Sequence, residues 1–213
     1  MIKFTIILLY LLSIFLISIV FKKFNKDSNE IVRKIIHIGI GPIIPIAQLL
    51  KVDQNSALIF TGIISLIVLT NYIYKIFPTI EDVERKSYGT LFYCLSLFIL
   101  IYLFWDKDPY ALISGFFIMT FGDGLAGLIG KSFNSKSWIF FKQKKSLYGT
   151  ITMFLTSLIV VCSIGYSQQN SLNLNYFTIA FFATLLEQFS VLGIDNFIVP
   201  ISSALIFNFL ITS

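Results

Sequence analysis

The 213-residue sequence predicts an all-α, polytopic membrane protein with seven or eight transmembrane helices. Three observations carry that prediction. Hydrophobic residues make up 56% of the chain and charged residues only 13%, where a soluble domain carries about 25% charge. With a mean hydropathy of +0.85, the chain has too little polar surface to coat a globule, and lipid must solvate most of it. Apolar stretches of span length recur along the chain. The basic residues gather in alternate connections between those stretches.

A span needs about 20 apolar residues. Candidates lie at about 3–21, 35–50, 57–77, 89–105, 110–130, 147–166, 176–192 and 196–212. The first resembles a signal peptide, but its run from Phe4 to Phe21 exceeds the usual h-region of about 7–15 residues. Lys22 and Lys23 follow it where a small-residue cleavage site would stand, so it reads as a retained helix. The second is short and contains Pro42 and Pro45, which predicts a kink or break. Glu187, Asp195 and Pro200 interrupt the last two, one of which reads as re-entrant in the seven-span alternative. Residues 1–213 form one integral membrane domain with loops at about 22–34, 78–88, 131–146 and 187–196.

Under the eight-span map, all of the 16 Lys and Arg except Lys3, Lys51 and Lys107 fall on one side. By the positive-inside rule that side is cytoplasmic. The net charge of +5 does not point to nucleic acid, because its placement beside spans suits lipid headgroups or a phosphorylated ligand. Cys94 and Cys162 lie inside apolar runs with no paired spacing and read as small buried hydrophobes.

Five segments have a composition that carries chemistry. Asp123 sits between Gly122 and Gly124 in an apolar run, where a carboxylate costs a few kcal/mol and needs a partner or a purpose. The flanking glycines would let a phosphate or metal approach the backbone, or two helices pack closely. Gly122, Gly124 and Gly127 satisfy G-x-G-x-x-G but follow a helix rather than a strand, which excludes a dinucleotide fold. Lys144, Lys145, Ser146 and Gly149 precede a helix, a pattern suited to a polyphosphate or to anchoring on anionic lipid. Arg33, Lys34 and the single histidine, His37, share one helix, and His37 reads as a general base or as an interfacial hydrogen bonder. Glu81–Arg85 and Asp82–Lys86 have the spacing of helical ion pairs. Glu187, Asp195 and Asn196 come last. Together with Asp123, Glu187 and Asp195 supply three carboxylates at one mouth, a hard-oxygen set for magnesium beside a nucleotide.

In this order, Arg33-Lys34-x-x-His37, Glu81 to Gly89 with Arg85 and Tyr88, Gly122-Asp123-Gly124-Leu125-Ala126, Lys144-Lys145-Ser146-x-x-Gly149, and Glu187 with Asp195, Asn196 and Pro200 resemble the membrane-bound polyprenol kinase family. That family includes dolichol kinases and phytol kinases, and the compact length looks more like the phytol kinase branch. The resemblance implies a CTP-dependent enzyme that uses Mg2+ to phosphorylate a long-chain isoprenoid alcohol. It implies that Asp123 and the Lys144-Lys145-Ser146 loop contact nucleotide and metal. Among the basic residues of the lysine-rich side, Arg85, Lys144 and Lys145 are expected to hold triphosphate. His37, Glu187 and Asp195 remain alternatives for orienting the hydroxyl. Tyr148 departs from the family, where Glu or a small residue precedes the glycine.

Two other functions share part of this pattern. A cytidylyltransferase making a CDP-lipid has a similar Gly-Asp and Lys-Lys-Ser look, but its C-terminal Asp, His and Arg cluster is absent, since neither His nor Arg follows Arg85. A transporter or lipid-binding protein would place its carboxylates near the bilayer midplane for ion coupling. Here they lie at one mouth, which favours interfacial chemistry.

Overall fold

The computed structural model describes residues 2–24, 29–74, 88–140, 143–169 and 173–212. The element order is α1 (Ile2–Phe24), α2 (Asn29–Ile40), α3 (Ile43–Leu49), α4 (Gln54–Tyr74), α5 (Gly89–Phe104), α6 (Pro109–Phe117), α7 (Gly124–Ser132), β1 (Ser137–Phe140), β2 (Gln143–Ser146), α8 (Leu147–Gln169), α9 (Asn175–Phe189) and α10 (Asp195–Phe207). A π-helical segment, Ile118–Asp123, joins α6 to α7, and a second, Asn208–Thr212, extends α10.

The protein is thus an all-α membrane protein, and each of the eight apolar segments becomes a helical stretch. Six described stretches are long and apolar enough to cross a bilayer: Ile2–Phe24, Ile31–Leu49, Gln54–Tyr74, Pro109–Ser132, Leu147–Gln168 and Asp195–Thr212. Helix α5 is a shorter apolar helix, and its 16 residues rise about 24 Å. Helix α9 has 15 residues.

The second segment breaks where proline predicts. Helix α2 ends at Ile40, Gly41 and Pro42 form a turn, and α3 restarts at Ile43. Pro45 stands in the first turn of α3, where a missing N–H costs no hydrogen bond. Three loop boundaries differ from the sequence reading. Helix α2 already begins at Asn29, so Arg33 and Lys34 are helical rather than loop residues. Helix α9 runs to Phe189 and carries Glu187 in its last turn. The polar stretch 131–146 contains an antiparallel hairpin, with Trp138 opposite Lys145 and Phe140 opposite Gln143. A stretch with no apolar periodicity reads as loop from sequence, and local strand pairing leaves no such signal.

The interior lies among α5, α6, α8, α9 and α10, where Leu100, Leu112, Phe116, Met153, Ile179 and Phe207 are fully buried. Helices α6 and α10 approach closely at Gly115, where a Cβ would collide with the Pro200 carbonyl. Helices α1 and α4 lie at the periphery. Leu8, Leu9, Leu12 and Ile17 of α1 and Ile59, Leu66 and Ile67 of α4 are each more than half exposed, an apolar surface that fits lipid rather than water.

The two ends of the bundle differ in chemistry. At one end, Lys3 Nζ donates to the Lys51 carbonyl at 2.6 Å. Near this end, Asp108 caps α6 by accepting from Ala111 N at 3.0 Å, and its other oxygen accepts from Asn208 Nδ2 at 2.8 Å. That buried carboxylate is structural. Lys107 lies beside Asp108 in the same connection, and the opposite end holds a large cavity lined by Arg33, Lys34, Lys131, Lys144 and Lys145.

Candidate active site

Residues from α2, α5, α7, the hairpin and the adjoining ends of α8, α9 and α10 enclose a cavity of about 1100 Å³. Its lining includes Arg33, Lys34, Lys131, Lys144 and Lys145, and also Asp123, Glu187 and Asp195. Five cations and three carboxylates thus converge on one space, although they come from positions up to 162 residues apart in the chain.

Asp123 is set by the π-helical segment that ends on it. Such widened turns shift side chains out of the 3.6-residue register and gather at functional sites. Lys34 reaches across from α2, with Nζ 2.7 Å from Asp123 Oδ2 and 3.0 Å from the Asp123 carbonyl. His37, one turn further along α2, places Nε2 3.5 Å from the same Oδ2 and 3.3 Å from the Met119 carbonyl. The Tyr93 hydroxyl donates to the His37 carbonyl at 3.2 Å and lies 3.2 Å from Thr120 Oγ1. The Tyr93 and His37 rings meet at 4.6 Å, which fixes the imidazole beside the carboxylate.

A second ion pair mirrors the first. Lys145 projects from β2 to pair with Glu187 Oε1, and it also donates to the Glu187 carbonyl at 2.8 Å. Gln188 Nε2 bridges Glu187 Oε2 at 2.7 Å and Thr150 Oγ1 at 2.9 Å. Asp195, at the start of α10, has no ion pair among the described residues and accepts from Asn196 N at 3.1 Å. It follows a turn in which Leu192 and Gly193 both have positive φ, 56° and 86°. A non-glycine residue held there is strained and persists only where its surroundings enforce it. The Leu192 carbonyl accepts from Tyr88 N at 3.1 Å, and Asn196 Nδ2 donates to the Gly89 carbonyl at 3.1 Å. The start of α5 therefore positions the start of α10.

One carboxylate oxygen from each of Asp123, Glu187 and Asp195 lies within 4.8 Å of the others. Opposite ligands on one hard cation are separated by about 4–5 Å, twice an ordinary metal–oxygen distance. The set therefore fits a divalent cation in both ligand type and spread. Asp195 supplies the negative charge that the two lysines leave uncompensated, and the Asn196 Oδ1 and Gln188 Oε1 atoms are buried here without a hydrogen-bond partner among the described residues.

Not every residue read from sequence reaches the cavity. Gly122 and Gly124 are absent from its lining. A Cβ on Gly122 would meet Met153 Sδ at 2.8 Å, and one on Gly124 would collide with Ile38, so both glycines serve helix packing. Gly127, which does line the cavity, clears the path of Lys34, whose Cε would lie 2.6 Å from an added Cβ. Ser146 caps α8 by accepting from Gly149 N at 3.2 Å. Gly149 and Gly130 let α7 and α8 touch, since a Cβ on Gly130 would lie 3.3 Å from Gly149 Cα. Tyr148 is outside the lining, and its ring meets that of Phe133 edge to face at 6.4 Å. Glu81, Asp82, Arg85 and Lys86 lie outside the described residues. Arg33 and Lys144 line the cavity and have no carboxylate partner among the described residues.

Sequence reasoning missed Tyr93, Thr90, Thr150 and Gln188. Gln188 carried a usable signal, a second polar residue beside Glu187 at a span end. Tyr93 did not, because a tyrosine near a span end reads as an interfacial aromatic.

Comparison with known proteins gives a consistent picture. The chain is 35% identical over 201 residues to a phytol kinase of Synechocystis, covering 92% of this chain and 86% of that protein. It is 27% identical over 206 residues to phytol kinase 1, chloroplastic, of Arabidopsis thaliana, covering 86% of this chain and 67% of the relative. It is 25% identical over 199 residues to farnesol kinase, chloroplastic, of the same plant, covering 83% and 64% respectively. No family model matches the chain, and no solved structure matches it.

Proposed function

Because this chain belongs to the phytol kinase family and is a kinase of isoprenoid alcohols, we propose that it takes its phosphoryl group from CTP, with Mg2+, in the cavity bounded by Asp123, Glu187 and Asp195. The observation that carries the reading is the convergence of these carboxylates within 4.8 Å in a cavity also lined by Arg33 and Lys144, which have no carboxylate partner among the described residues. CTP as donor rests on the resemblance in sequence. The cytoplasmic position of the cavity rests on the positive-inside distribution, since it holds basic residues of the lysine-rich side.

Phosphoryl transfer asks mainly for positioning and charge neutralisation. Arg33 and Lys144 are the cations available to the triphosphate. Lys34 and Lys145 hold Asp123 and Glu187 in place. Asp123, Glu187 and Asp195 would hold the divalent cation, which when bound offsets the charge between carboxylates and phosphate oxygens. Of the three candidates for orienting the hydroxyl, Glu187 already accepts on both oxygens, from Lys145 and Gln188, and His37 faces Asp123 and Met119. Asp195 retains acceptor capacity, and we assign it the substrate hydroxyl. The alcohol oxygen attacks the γ-phosphorus, the bond to the bridging oxygen breaks, CDP leaves, and the hydroxyl proton passes to Asp195.

The test is purified protein in detergent with CTP, ATP, GTP or UTP against phytol, geranylgeraniol, dolichol and diacylglycerol. The reading expects γ-phosphate on an isoprenoid alcohol, with CTP the preferred donor. Cytidine label appearing in lipid would replace it with cytidylyl transfer, and transfer from no donor to any alcohol would end it.

A further inference from the structure

The cavity has one apolar side. Among the described residues lining it, Ile36 and Ile40 are the branched aliphatic side chains, and both lie on α2. Arg33, Ile36, His37 and Ile40 follow the i, i+3, i+4, i+7 spacing that puts them on one helix face. That face changes from basic at the mouth to apolar about 10 Å deeper, seven residues at 1.5 Å each. Tyr93 of α5, only 6% exposed, stands across from it and shares the lining.

Among the described residues, few contacts join α2 to α5 beside this wall. Helix α2 packs on α1 and α7, whereas α5 packs on α4, α6 and α10. Described contacts between α2 and α5 centre on Tyr93 and His37. The neighbouring helices α1 and α4 meet far from the cavity, through Phe4 and Phe60 with rings 5.8 Å apart, near the end marked by Lys3 and Lys51. The described contacts between the α1–α2 pair and the α4–α5 pair thus include Phe4–Phe60 at one end and His37–Tyr93 beside the cavity. On the same helices Ile17, Val20 and Ile67 are more than half exposed.

We propose that the α2–α5 cleft is the slot for the isoprenoid chain, with Ile36 and Ile40 as its floor and Tyr93 as its stop. This inference rests on the kinase reading and names where that substrate lies. An alcohol in the bilayer would slide in between the helix pairs without leaving lipid, its tail against Ile36 and Ile40 and its hydroxyl directed towards Asp123 and Asp195. The polar wall, formed by α7, the hairpin and the ends of α9 and α10, is left to the nucleotide. Substrate and donor then approach from orthogonal directions, one from the membrane and one from water.

The test uses full-length protein in nanodiscs with a diazirine-bearing geranylgeraniol analogue. Photolabel is expected on peptides carrying Ile36, Ile40 or Tyr93, and excess geranylgeraniol should compete it away. Label elsewhere, or label at α2 that geranylgeraniol does not displace, would overturn the slot. In parallel, Ile40→Trp should raise KM for geranylgeraniol about tenfold or more, equivalent to about 1.4 kcal/mol, with a much smaller change in KM for CTP. Ile40→Val checks that the effect tracks size, and it should raise KM for geranylgeraniol less than Ile40→Trp does. Equal losses for both substrates would count against the slot. Failure of the wild type to phosphorylate any alcohol would instead overturn the kinase reading beneath it.

Discussion

Lys34 of α2 and Asp123 at the head of α7 form a buried ion pair, Nζ to Oδ2 at 2.7 Å, with side chains only 7% and 17% exposed. Lys34 also donates to the Asp123 carbonyl at 3.0 Å, so one ammonium group fixes both the carboxylate and the backbone that carries it. The pair fastens α2 to the π-helical segment, and the Lys34 and His37 contacts to the carboxylate both fall on Oδ2.

Breaking that pair on one side should be costly. Removing one member of a buried ion pair typically costs about 3–5 kcal/mol, since the other charge is left without compensation. Lys34→Met and Asp123→Asn should each lower thermal stability in detergent, and the double variant should recover part of the loss. A double variant as unstable as the sum of the singles would show that the two residues do not act together.

Asp195→Asn separates chemistry from folding. Asp195 has no ion pair among the described residues, so its neutralisation should leave the melting temperature within a few degrees of wild type. Loss of the group that orients the hydroxyl and shares the cation should cut kcat by about 10²–10³-fold, the range seen when one preorganised electrostatic group is removed. The magnesium concentration for half-maximal rate should rise in the same variant. Initial rates against Mg2+ concentration check both outcomes.

Arg33 and Lys144 should act on the nucleotide instead. A charge-assisted hydrogen bond contributes about 1.5–3 kcal/mol, so Lys144→Ala and Arg33→Ala should each raise KM for CTP about tenfold or more. Values of kcat should change less. Steady-state kinetics with CTP varied at saturating alcohol separates the two parameters.

Glycine substitutions test the packing. A Cβ at Gly115 would collide with the Pro200 backbone and sit 2.8 Å from Ala204 Cβ, whereas one at Gly62 would meet Phe98 at an ordinary 3.5 Å. Gly115→Ala should destabilise by about 1–3 kcal/mol, the usual cost of overpacking. Gly62→Ala should be neutral or stabilising by about 0.5–1 kcal/mol, from the higher helix propensity of alanine. Thermal unfolding of both variants in one detergent is the comparison.

Much of this architecture was legible in the sequence because lipid imposes a simple rule. Backbone groups within the hydrocarbon must be satisfied by helix, so apolar length translates directly into elements. Pro42 marked the break in the second segment for the same local reason. The carboxylate triad was also readable, since Asp123, Glu187 and Asp195 are costly anomalies in apolar surroundings. What their partners do was not readable. Lys34 and Lys145 look like phosphate ligands in a string of basic residues, and only tertiary packing shows that each is held by a carboxylate. Gly122 and Gly124 likewise face Met153 and Ile38, contacts between segments that no local pattern encodes.

The central claim is that this cavity transfers the γ-phosphoryl group of CTP to an isoprenoid alcohol. The most direct measurement incubates the purified protein with geranylgeraniol or phytol and either γ-labelled or α-labelled CTP, alongside Asp195→Asn. The account predicts a labelled lipid monophosphate from γ-labelled CTP alone, reduced about 10²-fold or more in the variant. Label in lipid from α-labelled CTP, or equal transfer by wild type and variant, would contradict it.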